Sequence, residues 1–268
     1  MMKSKFLFLN AVLFLFSYVT LSAQPLRKNS QMVGIGPTQV LDTYLSAEHF
    51  SGTGLTYLSH TERLKQDSAC LSTLIEHEAS LSQVHDRADS KQELEGAYNL
   101  YWGKLYGWHL LNRRLHLQAG GVVNASLGFI YNTSNSNNPA QARAALNLMP
   151  TGVASYRFSL FGKPFQARYE LNLPLCGIRF SPHYGQSYYE IFSRGDNDHN
   201  VVATSFVTAP EWRQLITLDA QLSRRITLRI GYLGNMQQAR INGLRQHVYT
   251  HRFLIGFTRC FTLTPHAL

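Results

Sequence analysis

Hydrophobic and polar residues alternate along most of the chain, and some alternating stretches are unusually long. Between residues 115 and 131 the odd-numbered positions are all apolar or small, whereas the even-numbered ones include His116, Gln118 and Asn124. Successive side chains of a β-strand point to opposite faces, so this segment is predicted to be a strand with one apolar face. Strands of soluble proteins average about 5–6 residues, whereas a tilted membrane strand needs about 9–11. The length therefore favours strands that cross a membrane.

The same alternation recurs along the chain and predicts about ten strands, while the uncertainty of strand ends leaves eight or twelve open. The predicted strands cover residues 32–41, 50–62, 69–84, 93–110, 114–131, 142–161, 165–180, 206–222, 226–236 and 246–261. Ionisable residues mostly take the parity opposite the apolar one, with His77 and Lys104 as exceptions. Lipid outside and a polar lumen inside select this arrangement. The pattern predicts an all-β fold, a transmembrane antiparallel up-and-down β-barrel.

Short and long connections alternate between the predicted strands. The short turns are Asn112-Arg113, Gly162-Lys163-Pro164 and Ser223-Arg224-Arg225, and the longer loops are residues 86–92, 132–141, 181–205 and 237–246. Outer-membrane barrels have short periplasmic turns and longer extracellular loops. The alternation therefore predicts that the short turns face the periplasm and that residues 181–205 lie outside the cell.

The N-terminal end has the layout of a secretory signal peptide. Lys3 and Lys5 precede an apolar stretch, and small residues follow it up to Ala23. An uncleaved anchor is the alternative, but a spanning helix needs about twenty apolar residues, and Asn10 interrupts this stretch. We expect residues 1–23 to be a signal peptide and residues 24–268 to form a single barrel domain in the outer membrane of a Gram-negative bacterium.

Overall hydropathy and charge agree with a barrel. The mean hydropathy of −0.17 would suit a soluble protein, but alternating faces cancel in such an average. The formal charge of +9 falls to +7 without Lys3 and Lys5, and the remaining cations are scattered, so no nucleic-acid partner is predicted. The predicted partners are outer-membrane lipid and lipopolysaccharide, with other envelope proteins as further candidates. The three cysteines show no metal-binding spacing.

Several segments resemble a family of uncharacterised outer-membrane β-barrels of Bacteroidetes-type bacteria. They are Gly34-Ile35-Gly36, Val40 to Ser46, Tyr184 to Phe192, and Leu228 to Gly234. The last predicted strand also resembles the C-terminal strand of such barrels, with aromatic residues at alternate positions up to Phe261. The resemblance implies the location and the fold, and it implies no activity, substrate or catalytic residue.

A set of charged residues is predicted to face the lumen, because these residues have the parity opposite to the apolar one. This set comprises Glu76, Glu78, Glu93, Glu95, Arg168, Glu170, Arg213, Asp219, Arg229 and Arg252. A barrel of about ten strands is narrow, so these side chains are expected to pair and to fill the lumen. We single out Arg168, Glu170, Asp219 and Arg229 as the predicted lumen charge network because their strands are expected to be close together.

The stretch from His183 to Phe192 is the most unusual loop, because it is rich in tyrosine. Its candidate binding residues are Tyr184, Tyr188, Tyr189 and Glu190, and aromatic packing of a long outer loop is the structural alternative. Asp196, Asp198 and His199 follow, but they offer too few oxygen ligands for a calcium loop of the EF-hand type. We predict no metal site, no cofactor and no catalytic residue.

The specific role stays open at this stage. The favoured interpretation is a structural or accessory barrel with a side-chain-filled lumen, and the alternative is a small channel or transporter for small solutes. An outer-membrane hydrolase is the least favoured, since no GxSxG motif occurs. Its candidate histidines would be His49, His85, His183, His199 and His247.

Overall fold

A computed structural model of the protein describes residues 26–64, 70–135, 139–222 and 226–262. The strands are β1 (Leu26–Asp42), β2 (Ser46–Leu64), β3 (Leu71–His85), β4 (Gln92–Leu110), β5 (Leu115–Asn132), β6 (Ala140–Leu160), β7 (Lys163–Asn172), β8 (Cys176–Phe180), β9 (Val201–Ser205), β10 (Glu211–Gln221), β11 (Ile226–Ile241) and β12 (Leu244–Thr262). A short helix, α1 (Tyr188–Phe192), lies between β8 and β9. The predicted signal peptide lies outside the described residues, as does the turn at 223–225.

Ten strands close into an antiparallel barrel, which confirms the predicted fold class and strand number. The wall runs β1-β2-β3-β4-β5-β6-β7-β10-β11-β12, and β12 pairs with β1 to complete the ring. The end of the barrel with Leu26, Thr262 and the turns at 111–114 and 161–162 is called the lower end here. The opposite end, with the connections at 86–91 and 181–200, is the upper end.

One predicted strand and the loop that follows it differ from the structure. The predicted strand 165–180 is divided into β7 and β8 around Pro174, and β8 continues the pairing with β6. Proline has no N–H to donate to the ladder, which explains a break at this position. The predicted loop 181–205 is likewise wrong in part, because it contains helix α1 and strand β9, and β9 pairs with β8.

The predicted long loop at 237–246 is wrong. Strand β11 continues to Ile241 and β12 begins at Leu244, so only Asn242 and Gly243 connect them. Both have positive φ values, +52° and +76°. Two residues with positive φ form the turn that matches the twist of a hairpin, and Asn-Gly is the preferred sequence for it.

The apolar side chains of the alternating strands lie on the outer surface of the barrel. Leu55, Leu127 and Phe253 are among the exposed apolar residues, with 62%, 62% and 59% of their surfaces accessible. The exception His77 lies on this face, where its Nδ1 lies 2.7 Å from the hydroxyl of Tyr98. An apolar exterior around a closed barrel is suited to lipid. The described residues contain no helix with the length and hydrophobicity needed to cross a membrane.

The opposite parity is buried inside the barrel. Apolar clusters occupy parts of the interior, and the one near the upper end contains Val40, Leu45, Phe50, Val84, Ile130 and Val248. Other inward positions carry polar or charged side chains with almost no exposed surface, among them Arg213 and Arg252. The described interior is therefore packed with side chains over much of its length, and its charged part forms the candidate site.

Candidate functional site

Six charged or titratable side chains meet inside the barrel, and we call them the cross-lumen cluster. They are His60 on β2, Glu76 and Glu78 on β3, Arg168 and Glu170 on β7, and Arg213 on β10. Each faces inward because it occupies the parity opposite the outward apolar residues of its strand. The cluster thus collects residues that are far apart in the sequence.

Arg213 connects opposite sides of the wall. Its Nη2 donates to Glu76 Oε2 at 2.6 Å and to Glu78 Oε2 at 2.9 Å, and its Nη1 donates to the side-chain oxygen of Asn172 at 2.9 Å. The guanidinium also lies 4.3 Å from the ring centre of Tyr101. Strands β3 and β10 stand five strands apart in both directions around the ring, so this contact spans the lumen.

A second contact crosses the lumen between β2 and β7, which are also five strands apart in both directions. His60 Nε2 lies 3.3 Å from Glu76 Oε1 and 3.4 Å from Glu170 Oε2. Glu76 is the direct neighbour of His60 in the β2–β3 register. Arg168 donates to the same oxygen of Glu170 from two residues away on β7. Glu170 is fully buried, so its charge depends on these partners.

Arg229 and Asp219 form a separate pair. They are direct neighbours in the β10–β11 register, and Arg229 Nη2 donates to Asp219 Oδ2 at 2.6 Å. Arg229 Nη1 also donates to the Ser30 hydroxyl at 2.7 Å. The structure therefore places all four residues of the predicted charge network inside the barrel, but in two groups, with Arg168 and Glu170 in the cross-lumen cluster.

A cavity of about 700 Å³ lies at the lower end. Its lining includes His60, Arg168 and the Arg229–Asp219 pair, together with residues of the lower turns such as Arg114. The cavity therefore reaches from the lower end to the edge of the cross-lumen cluster. Sequence reasoning missed His60 as a member of this site, although the even parity of β2 residues Leu58 and Glu62 carried the signal.

Inward-facing charges away from the cluster also have polar contacts. Glu95 accepts from the Ser82 hydroxyl at 3.1 Å, and Glu93 accepts from the side chain of Asn132 at 3.0 Å. Arg252 donates to the backbone oxygens of Gly36 and Pro37 at 2.8 and 2.7 Å. These side chains fill the interior above the cavity, as the predicted parity requires.

The Tyr-rich loop at the upper end divides its predicted binding residues between two environments. Tyr184 and Tyr189 are exposed, with 75% and 64% of their surfaces accessible. Tyr188 folds back onto the barrel, where its hydroxyl donates to Gln141 Oε1 at 2.9 Å and accepts the Ala142 N–H at 2.6 Å. Its ring also packs against Phe180 and Phe192. The four residues therefore do not converge on one site.

Glu190 has a local structural task in this loop. Its Oε2 accepts the Ser187 N–H at 2.7 Å while the Ser187 hydroxyl accepts the Glu190 N–H, which forms a capping box on helix α1. The Ser187 N–H holds the pKa of the Glu190 carboxyl below its ordinary value. Burial raises the pKa of Tyr188 to about 12, so both side chains keep one protonation state near neutral pH.

The histidines considered for a hydrolase lie apart at the upper end. His199 contacts the neighbouring Asp198 at 2.9 Å, His85 contacts Asp89 at 3.0 Å, and His49 packs against His247 with ring centres 5.1 Å apart. His183 Nε2 lies 3.1 Å from the backbone oxygen of Asp198. These pairs are exposed or local. Cys70 and Cys176 are free and exposed, so neither forms a disulfide with the other.

The wall and its interior define a class of protein: a transmembrane ten-stranded β-barrel with a lumen crossed by buried ion pairs. Comparison with protein families then identifies the particular group. The chain belongs to the family described as "Protein of unknown function (DUF3316)", whose model matches residues 7–266. This agrees with the resemblance to barrels of unknown role. No curated protein matches the chain.

Several solved outer-membrane barrels are similar to this chain at low identity. The outer membrane protease OmpT from Escherichia coli is 7% identical with a TM-score of 0.45, covering 90% of this chain and 98% of that one. The translocator domain of the autotransporter NalP from Neisseria meningitidis is 11% identical with a TM-score of 0.40, covering 96% and 95%. The COG4313 outer membrane channel from Pseudomonas putida F1 is 11% identical with a TM-score of 0.34, covering 91% and 97%. At such identities the likeness concerns barrel architecture, and no activity follows from it.

Proposed function

We propose that this protein is a non-enzymatic structural or accessory barrel of the outer membrane, exported behind a signal peptide from a Bacteroidetes-type bacterium, with a lumen that does not conduct. The observation that carries the proposal is the pair of contacts between opposite walls, Arg213 with Glu76 and Glu78, and His60 with Glu170. These contacts occupy the cross-section of the lumen, and a conducting ten-stranded pore would need this space for water. Outer-membrane lipid, lipopolysaccharide and other envelope proteins are its proposed partners.

Conductance in a planar bilayer tests the closed lumen. We expect the protein to give no steady current steps, because buried ion pairs occupy the cross-section. The matched variant replaces Arg213, Glu76 and Glu78 together with serine, which removes both sides of the contact and leaves no unpaired charge among the three. Steps in the serine variant alone would support the proposal, and steps in the unchanged protein would contradict it.

The small-channel alternative has one observation in its favour, the cavity at the lower end. The cavity extends only as far as the cross-lumen cluster, so a channel would require Arg213 to release Glu76 and Glu78. Raising the membrane voltage in the same bilayer would detect such a release as voltage-dependent opening. Opening at moderate voltage would favour the channel over the accessory role.

We also propose that the upper end of the barrel faces the outside of the cell. Cysteine at Asn197 in the upper loop and cysteine at Lys163 beside the lower turn are matched reporters, because both positions are exposed. In a background without the native cysteines, we expect a membrane-impermeant thiol reagent to label Asn197→Cys on intact cells. Lys163→Cys should react only after the outer membrane is permeabilised. The reverse result would mean that the upper end faces the periplasm.

A further inference from the structure

Three side chains of the cross-lumen cluster have the arrangement of metal ligands. His60, Glu76 and Glu170 each offer one donor atom, and the three atoms lie within 4.8 Å of one another. His60 Nε2 lies 3.3 and 3.4 Å from the two carboxylates. Ligand atoms about 2.0–2.1 Å from a tetrahedral zinc ion lie roughly 3.3 Å apart, so the two distances from His60 match those of a zinc site. All three residues are buried.

Each of the two carboxylates has one oxygen that accepts a hydrogen bond from an arginine and one oxygen that accepts none. Arg213 occupies Glu76 Oε2, and Arg168 occupies Glu170 Oε2. Glu76 Oε1 and Glu170 Oε1 are both buried, and neither has a hydrogen-bond partner among the described residues. A buried carboxylate oxygen without a partner costs free energy, because it has lost its water. Arg213 Nη1 lies 3.7 Å from Glu170 Oε1, which is an ion-pair distance but too long for a hydrogen bond. The arginines therefore leave one oxygen of each carboxylate without a hydrogen bond.

The charges around the cluster also favour a bound cation. Glu62 is buried beside the cluster and interacts electrostatically with Arg168, and its direct partner is the neutral Gln118. With it the carboxylates are Glu62, Glu76, Glu78 and Glu170, and the cations are Arg168, Arg213 and Lys28, which also interacts with Glu62. Four carboxylates against three cations leave one negative charge when His60 is neutral, as a metal-bound imidazole is. This excess favours binding of a cation.

We propose that His60, Glu76 and Glu170 bind a divalent transition-metal ion of the zinc type, which ties the β2–β3 side of the barrel to β7. One imidazole and two carboxylates form a mixed nitrogen and oxygen set, which suits such ions better than calcium or magnesium. The cavity at the lower end is lined by His60 and offers a path to the site. The site is independent of whether the lumen conducts.

Zinc is the probe for the test. The protein is refolded in detergent with zinc chloride, passed over a chelating resin and analysed for bound metal. We expect a single zinc ion per folded chain, and X-ray absorption at the zinc edge should show imidazole and oxygen ligands without sulfur. The folded protein should also melt at a higher temperature with zinc than after removal of zinc by a strong chelator.

Glu76→Gln and Glu78→Gln form the matched pair of variants, because both remove one carboxylate that Arg213 binds and only Glu76 is among the three ligands. We expect Glu76→Gln to lose the zinc and its thermal effect and Glu78→Gln to keep both. Equal loss in both variants would mean that zinc responds to general negative charge, and this would overturn the site. Absence of zinc from the folded protein, or an absorption spectrum without imidazole, would also overturn it. These two measurements on the unchanged protein decide the matter even if a variant does not fold.

Discussion

The cross-lumen cluster and the Arg229–Asp219 pair both join arginines to carboxylates at inward-facing positions, but they connect different parts of the wall. Arg229 and Asp219 are direct neighbours on adjacent strands and line the lower cavity. Arg213 instead reaches the β3 side of the barrel and is fully buried. An arginine–carboxylate pair can therefore have two different roles. It can reinforce two strands that backbone hydrogen bonds already join, or it can connect opposite sides of the barrel that no backbone hydrogen bond joins.

The largest effect should come from removing Arg213, the arginine of the cross-lumen cluster that binds Glu76 and Glu78. Arg213→Ala leaves Glu76 and Glu78 buried without their guanidinium, and breaking a buried pair from one side costs about 3–5 kcal/mol. We expect a loss of that size in the free energy of unfolding, measured by urea titration in detergent with tryptophan fluorescence. A loss below about 1 kcal/mol, typical of exposed pairs, would remove the distinction between the two groups.

A smaller effect is expected for the pair on adjacent strands. Asp219→Asn weakens the charge-assisted bonds from Arg229, which are worth about 1.5–3 kcal/mol, but water in the lower cavity can solvate the guanidinium. We therefore expect a loss of about 2 kcal/mol or less in the same titration. The double variant with Arg229→Gln serves as control and should recover part of the loss. A cost equal to that of Arg213→Ala would contradict the comparison.

Combining the two changes tests whether the groups are independent. Arg213 and Asp219 lie six residues apart on β10, roughly 20 Å along an extended strand, and they share no direct partner among the described residues. Distant substitutions without shared partners add to within about 0.3–0.5 kcal/mol. We expect Arg213→Ala with Asp219→Asn to destabilise by the sum of the single losses. A larger deviation would show that the interior charges form one network.

The smallest effect concerns an exposed carboxylate at the upper end. The Ser187 N–H lowers the pKa of Glu190, so the capping contribution is complete above the ordinary glutamate pKa of about 4.3 and is lost as pH falls through the lowered value. The protection of the α1 amides against hydrogen exchange, measured relative to the intrinsic exchange rate at each pH, should therefore decrease at acidic pH in the unchanged protein. Glu190→Ala should show the faster exchange already at neutral pH, and the nearby Asp196→Asn should not. Equal exchange in both variants would contradict the capping role.

The wall of this barrel could be predicted from the sequence because its cause is local. Alternation within one strand decides which side chains face lipid, and all ten predicted strands have counterparts in the structure. The inward direction of Arg213 and Glu76 follows from the same parity. The contact between Arg213 and Glu76 could not be predicted in this way. It depends on the number of strands and on their stagger around the ring, and the pattern of a single strand contains neither.

The errors in the connections also have physical causes. The polar composition of residues 237–246 predicts a loop, whereas the Asn242-Gly243 dipeptide within them is a strong hairpin signal. Alternation continues through Pro174 and predicts an unbroken strand, but the missing N–H of this proline breaks the ladder. His60 was missed because a single histidine in a weakly patterned strand gives no sign of partners on the opposite wall.

The seam between the first and last strands sets the order in which this protein can be built. β1 pairs with β12 from Leu26 opposite Thr262 to Asp42 opposite Gln246, and Arg252 on β12 binds the carbonyls of Gly36 and Pro37 across that seam. The ring therefore cannot close before the C-terminal strand has been synthesised and delivered. A sheet of β1 to β11 alone would leave both of these strands as open edges, and long unpaired edges recruit other chains. Closure of the barrel thus requires that the last strand reach the first before another chain pairs with either edge.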